Sequence, residues 1–77
     1  MNISHTIYKK CGTNFPYPAK IMERPYSDNS QTSIMLQSVL QMKKSYPESF
    51  FALSVTRGER ETFIDRSGKE NTEIIWI

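Results

Sequence analysis

A β-hairpin predicted between Phe50 and Arg66 constrains the fold more than any other part of the sequence. In FFALSVTRGERETFIDR, apolar residues alternate with smaller or more polar ones before the glycine, which is the period of a half-buried strand. Gly58 suits the first central position of a type II′ turn, whose twist matches antiparallel strands. The register then pairs Arg57 with Arg60, Val55 with Thr62, Leu53 with Ile64 and Phe51 with Arg66. One face of the hairpin is therefore apolar, and shifting a strand by one residue would lose that pattern.

One helix is predicted between Ser30 and Tyr46. Apolar residues recur there at helical spacing; they are Ile34, Met35, Leu36, Val39, Leu40, Met42 and Tyr46. Asn29 or Ser30 is the expected N-cap, because a short polar side chain can accept a hydrogen bond from a first-turn amide. Pro47 ends the helix, since proline cannot continue its hydrogen-bond ladder.

Two further strands are predicted, one before the helix and one after the hairpin in the sequence. Ile3 to Lys9 places Ile3, His5 and Ile7 on one face, and we expect this strand to add to an edge of the sheet. Asn71 to Ile77 is apolar on both faces, so it lies either in the centre of the sheet or at an interface. As an edge, it would pair with a second copy of the chain or with a target.

The remaining segment, residues 13–29, is predicted to be a long loop because three prolines interrupt it. The fold class is therefore α+β, with a single amphipathic helix packed on a three- to four-stranded antiparallel sheet in the order β-loop-α-β-β-β. The 77 residues are enough for one small domain spanning residues 1–77.

Composition argues against several kinds of site. Cys11 is the only cysteine and His5 the only histidine, so we expect no internal disulfide, no zinc site and no cofactor. The lone thiol, and a first segment without a signal-peptide pattern, predict a cytoplasmic protein. The longest apolar run is Ile74 to Ile77, far shorter than a membrane span, so no membrane partner is expected.

The titratable residues form no catalytic pattern. His5 and Cys11 fall on one strand about 20 Å apart, too far to act as nucleophile and base. The three glycines are isolated and cannot form a phosphate-binding loop. The acidic residues of the hairpin lie at its solvated tip, where nothing raises the pKa of a carboxyl group. An enzyme is therefore not expected.

Rings and cations give two candidate binding sites. The predicted partner-binding residues are Phe15, Tyr17, Lys20, Arg24, Tyr26 and Trp76, since aromatic residues and arginine are enriched at interfaces. Rings and cations of this segment can also stack and hold single-stranded bases, and the rings would equally serve as a cap on a small core. The alternative is a nucleic-acid site of Lys43, Lys44, Arg57, Arg60 and Arg66, although interleaved acidic residues dilute its charge.

We therefore expect a small non-enzymatic protein-interaction module that regulates or inhibits another protein, with a homodimer through the C-terminal strand as a further hypothesis. The first alternative is a nucleic-acid-binding regulator that uses the basic hairpin and the helix end. The second is a small ribonuclease-like toxin in which His5 is the acid or base.

Overall fold

The computed structural model describes residues 3–11, 19–26 and 31–77, in which one helix packs on a five-stranded antiparallel sheet. In chain order the elements are β1 (Ile3–Cys11), β2 (Ala19–Tyr26), α1 (Thr32–Ser45), β3 (Ser49–Arg57), β4 (Arg60–Ile64) and β5 (Glu70–Asn71). The strands lie in the order β2-β1-β3-β4-β5. The α+β class is confirmed, whereas the predicted number of strands is too low by at least one.

The central hairpin has the predicted register over most of its length. Val55 pairs with Thr62, Leu53 with Ile64 and Arg57 with Arg60. Gly58 has φ +62°, and no described residue other than glycine has a positive φ, as a type II′ turn requires. The predicted pair of Phe51 and Arg66 is wrong, because β4 ends at Ile64. Phe51 instead exchanges two backbone hydrogen bonds with Ile77, with N···O distances of 3.0 and 2.7 Å.

The prediction that the first strand adds to an edge is wrong, because β1 lies between β2 and β3. All nine residues of β1 pair with β3 in one uninterrupted register. On its other side β1 pairs with β2, with a register shift between Ile7 and Tyr8. Strand β1 is therefore a central strand of the sheet.

Strand β2 lies inside the segment that was predicted to be a loop, so that prediction is wrong for residues 19–26. Pro25 is compatible with this strand because β2 is the edge of the described sheet, where one side of the backbone needs no ladder hydrogen bond. The rest of the predicted loop, including Phe15 and Tyr17, lies outside the described residues.

The prediction of a full strand over 71–77 is also wrong. The Asp65 carboxylate accepts hydrogen bonds from Ser67 and from the Lys69 amide, which closes a tight turn between β4 and β5. These hydrogen bonds lower the pKa of Asp65 to about 2. Only Glu70 and Asn71 then form a strand. The backbone of Ile77 is paired with Phe51 inside the chain. The homodimer through this segment stays a prediction.

Helix α1 is shorter at its start than predicted. Its N-cap is Gln31, which makes no side-chain capping hydrogen bond; Asn29 and Ser30, the predicted caps, lie outside the described residues. At the other end the Tyr46 amide donates to the Met42 carbonyl and Pro47 follows, as predicted. Two residues of the predicted apolar stripe, Ile34 and Tyr46, are instead exposed.

The core lies between α1 and one face of the sheet. Its buried residues are Ile3, Ile7, Met35, Val39, Phe51, Leu53, Val55, Ile64 and Ile77. Alternate residues of a strand share a face, so the register that sets Ile7 opposite Leu53 aligns the apolar residues of β1 with those of β3. Leu36, Leu40 and Met42 of the helix pack against this cluster from its margin.

The face of the sheet opposite the helix is spanned by one long side chain. Tyr8 of β1 donates a hydrogen bond to Glu61 of β4, with an O···O distance of 2.9 Å. Because β3 lies between these strands, the Tyr8 ring has to cross it. Its ring centroid lies 6.4 Å from that of Phe63, and Ser54, the residue opposite Phe63, is buried. Burial and the Glu61 contact raise the pKa of Tyr8.

The pairing of Ile77 with Phe51 predicts that Ile77 matters more for stability than its neighbour Ile74. Ile77 is 4% exposed in the core, whereas Ile74 is 40% exposed. We expect Ile77→Ala to lower the free energy of unfolding by about 2 to 5 kcal/mol, the usual range for truncating a buried isoleucine. The matched variant Ile74→Ala should lower it by less than about 1 kcal/mol. Urea denaturation of both variants measures the difference, and equal losses would contradict the placement of Ile77.

Candidate functional site

Three of the predicted partner-binding residues lie on the edge strand β2. Lys20, Arg24 and Tyr26 are all within Ala19–Tyr26, but the pairing places Arg24 opposite His5 and Lys20 opposite Tyr8, which face different sides of the sheet. Trp76 lies apart from them, near the start of β3, where Lys10 contacts its ring. The predicted set therefore does not form one surface.

Strand β2 also carries features that discourage pairing with another strand. Pro25 lacks an amide donor, and Ile21 is the extra residue where the register with β1 shifts. Lys20 and Glu23 form an exposed ion pair, with an N···O distance of 3.5 Å. Proline, bulges and charges are the usual protections of edge strands, so β2 is a poor site for adding a partner strand.

Tyr26 acts as a core cap rather than as an exposed anchor. Its ring meets the ring of His5 edge-on, with centroids 4.8 Å apart. Its hydroxyl lies 3.6 Å from the sulfur of Met35. Of the roles considered for the aromatic residues of this segment, the geometry favours the structural one at this position.

The predicted nucleic-acid residues fall at different places. Arg57 and Arg60 form the last pair of the hairpin, whereas Lys43 is bonded to Ser49 at the first residue of β3. Ser49 and Arg57 are the two ends of β3 and lie eight strand steps apart, which is roughly 26 Å. Lys44 lies beside Lys43 in the last turn of α1, and Arg66 is exposed in the turn after β4. The five cations therefore do not form one patch.

Arg57 is already neutralised by an ion pair with Glu70. Thr62 also donates to this carboxylate, and both contacts lower the pKa of Glu70. An open cleft of about 310 Å³ lies beside this pair, between the start of α1 and the β4–β5 turn. Its arginine and its glutamate cancel each other, so the cleft offers no net charge to a ligand.

His5 lies in the core and is fully buried. Its Nε2 is hydrogen-bonded to the Thr32 hydroxyl at 2.8 Å, and its Nδ1 has no partner among the described residues. Burial, and secondarily the charge of Arg57, lower the pKa of His5. Cys11, by contrast, is exposed at the far end of the same strand. The structure does not bring the two together, and it encloses His5 among packed side chains.

Cations and rings do meet at one end of the sheet, where β1 ends and β3 begins. We call this region the lysine–aromatic end; it consists of Lys9, Lys10, Lys43, Lys44, Tyr46, Phe50 and Trp76. The pairing of β1 with β3 creates it at the edge between the two faces of the sheet: Lys9 lies opposite the core residue Phe51 on the helix side, and Lys10 lies opposite Phe50 on the other side. The last turn of α1 adds Lys43, whose ammonium donates to the Ser49 carbonyl at 2.7 Å, and Lys44, which follows it on the outer side of the helix.

Each of three ammonium groups lies over aromatic rings. Lys10 Nζ is 4.4 Å from the centroid of Trp76 and 5.4 Å from that of Phe50. Lys43 Nζ is 4.7 Å from the centroid of the same Phe50 ring. Lys9 Nζ is 5.0 Å from the centroid of Tyr46. These are cation–π distances, so the rings hold the ammonium groups in place without neutralising their charge.

The charges of this end are not paired with carboxylates. Within residues 3–11, 19–26 and 31–77, the ion pairs are those of Lys20 and of Arg57, and both lie outside the lysine–aromatic end. Glu48, in the turn before β3, is the acidic residue nearest in sequence to the helix end, and it makes no ion pair in this part of the chain. The lysine–aromatic end is therefore a basic surface.

The rings of this end are accessible. Tyr46 is 58% exposed, and Phe50 and Trp76 are half-buried. Lys43 also has a structural role, because lysines in the last turn of a helix stabilise its negative end. Lys44 is exposed and Lys9 and Lys10 are half-buried, so these three are better placed to meet a ligand.

Four residues of the lysine–aromatic end were not predicted as site residues: Lys9, Lys10, Tyr46 and Phe50. The other three were assigned to two different sites, Lys43 and Lys44 to the nucleic-acid site and Trp76 to the partner-binding site. Two adjacent pairs, Lys9-Lys10 and Phe50-Phe51, were visible in the sequence. Their meeting depends on the register between β1 and β3, which neither pair reveals alone.

No protein-family model matches the chain, and no curated protein and no solved structure matches it significantly. Among the described residues, no three metal-ligating side chains come close enough to hold a metal ion. The described helix is fourteen residues long and does not have the length and apolar character to cross a membrane.

The buried His5 predicts that stability falls as the pH drops below about 6.5. Because the fold holds the His5 pKa below its ordinary value of 6.5, the unfolded chain takes up a proton that the folded chain rejects. The free energy of unfolding has its full value above pH 6.5. It declines as the pH falls from 6.5 to the pKa of His5 in the folded chain, by at most about 1.4 kcal/mol per pH unit. Denaturant titrations between about pH 5 and 6.5 measure this slope.

The matched control for this prediction is His5→Gln, which keeps a polar side chain and removes the only imidazole. Its stability should change less over the same pH interval, whatever its absolute value. The same slope in both proteins would show that the His5 pKa is not lowered.

Proposed function

We propose that this protein is a small interaction module that acts by binding an anionic partner at its lysine–aromatic end rather than by catalysis. One observation carries the proposal: three ammonium groups, those of Lys9, Lys10 and Lys43, lie over accessible rings at one end of the sheet, without an ion pair among the described residues. Convergent charge of one sign attracts an opposite charge and orients its approach.

The distribution of charge supports this location although the formal net charge is only +2. The hairpin contributes little, because Glu70 neutralises Arg57. Strand β2 contributes little, because Glu23 neutralises Lys20. Charges farther apart than about 10 Å are largely screened at ordinary ionic strength, so the local surplus matters more than the total.

An interaction module agrees with the expectation drawn from the sequence, but its proposed surface differs. A partner strand on β2 would meet a proline, a bulge and charged side chains. The ribonuclease-like alternative gains no support from His5, which is enclosed in the core. An acidic protein segment and a nucleic acid both provide the anionic partner that this proposal requires.

The proposal predicts that two lysines of this end determine retention on an anionic matrix. We expect Lys10→Gln/Lys44→Gln to elute from immobilised heparin at a clearly lower salt concentration than the unchanged protein. Lys10 contacts the ring of Trp76, Lys44 is exposed in the adjacent last turn of α1, and neither side chain is hydrogen-bonded among the described residues. The reason is the loss of two positive charges, each of which would displace counterions from the heparin on binding.

The matched control is Arg24→Gln/Arg60→Gln, which removes two charges from exposed positions outside this end. Its elution should shift much less. Equal shifts for the two double variants, or no retention of the unchanged protein at low salt, would contradict the proposed function.

A further inference from the structure

We infer that the anionic partner of the lysine–aromatic end is a single-stranded nucleic acid. This inference rests on the proposed function, since it names the class of partner for the same surface. Its basis is the close association of lysines with ring faces, in particular the Lys10 ammonium that contacts both Trp76 and Phe50. Both ring centroids lie within 5.4 Å of this one atom, so two aromatic rings surround the same ammonium group.

A single strand offers what these two kinds of side chain need. Its phosphates pair with ammonium groups, and its unpaired bases have flat faces that stack on aromatic rings. In the free protein the ammonium groups of Lys10 and Lys43 rest on those rings. On binding, phosphates draw the lysines away and bases take their places on the rings.

The balance of this exchange favours bases over carboxylates. An exposed cation–π contact changes an equilibrium constant about two- to fivefold, whereas stacking of one base on a ring changes it about five- to 150-fold. An acidic peptide would draw the lysines away and give the vacated rings nothing comparable. Lysine is also depleted at protein–protein interfaces, where arginine is preferred.

A single strand also fits better than a duplex. The bases of a duplex are stacked on each other and cannot reach a ring on the protein surface. A major groove admits an α-helix, as recognition helices that enter it by their N-terminal residues do. In the described residues, α1 presents its C-terminal turn to the lysine–aromatic end, so it cannot enter a groove in this way.

Trp76 makes the inference directly measurable, because it is the only tryptophan of the chain. We expect a short oligothymidine strand to quench the fluorescence of Trp76 on binding, since a stacked base replaces the Lys10 ammonium on the indole. Raising the salt concentration from about 50 to 200 mM should lower the affinity roughly 50-fold if four phosphates are contacted. The duplex of the same length and a poly-glutamate peptide of equal charge serve as competing ligands.

Two variants locate the binding site. Lys10→Gln should lower the affinity for the oligothymidine several-fold and reduce the salt dependence by one contact. Arg60→Gln removes an equal charge at the hairpin tip and should leave both nearly unchanged. Circular dichroism of each variant verifies that it is folded.

The possible outcomes separate this inference from the proposed function. Quenching by the single strand, with weaker binding of the duplex and the peptide, supports both. Equal or tighter binding of the peptide or the duplex, or binding of the oligothymidine without a change in Trp76 emission, overturns the inference and leaves the proposed function standing. Failure of every anionic ligand to bind at low salt overturns both. An equal loss in the Arg60→Gln variant moves the site to the hairpin and also overturns both.

Discussion

The rest of the structure depends on the pairing of β1 with β3. These two nine-residue strands are aligned along their whole length, from Ile3 opposite Arg57 to Cys11 opposite Ser49. Together they supply the buried centre of the core, because the register places Ile7 opposite Leu53 and His5 opposite Val55. The hairpin of β3 and β4 extends the sheet on one side and β2 extends it on the other. A slip of one residue would turn every side chain of β1 to the opposite face of the sheet.

The same register creates the proposed binding surface. Beyond Ile7 and Leu53 the pairing continues and sets Lys9 opposite Phe51 and Lys10 opposite Phe50. Phe51 stays in the core and pairs its backbone with Ile77, which brings Trp76 to the same end of the sheet. One constraint therefore determines both the stability of the domain and the place where lysines and rings converge. The cation–π contacts contribute about 0.5 to 1 kcal/mol each at exposed positions, so they position the lysines more than they stabilise the fold.

The predictable parts of the fold were the local ones. The β3–β4 register follows from alternation and from one glycine turn, and α1 follows from helical spacing and Pro47, so both can be derived from adjacent residues. The central place of β1 and the pairing of Ile77 with Phe51 depend on contacts far apart in the sequence, which local patterns do not encode. Strand β2 was missed because prolines disfavour a strand, although an edge strand tolerates Pro25. The candidate site also depends on contacts far apart in the sequence, since Lys10 and Phe50 meet only through the β1–β3 register. Local patterns therefore could not predict it.

The most direct test of this account is an amide and indole NMR titration of the folded protein with a short single-stranded oligothymidine. We expect the largest shift changes at the Trp76 indole and at the backbone of Lys10 and Phe50, with little change at the hairpin turn around Gly58. Shift changes centred on that turn, or along β2, would contradict the claim that the β1–β3 register builds the binding surface.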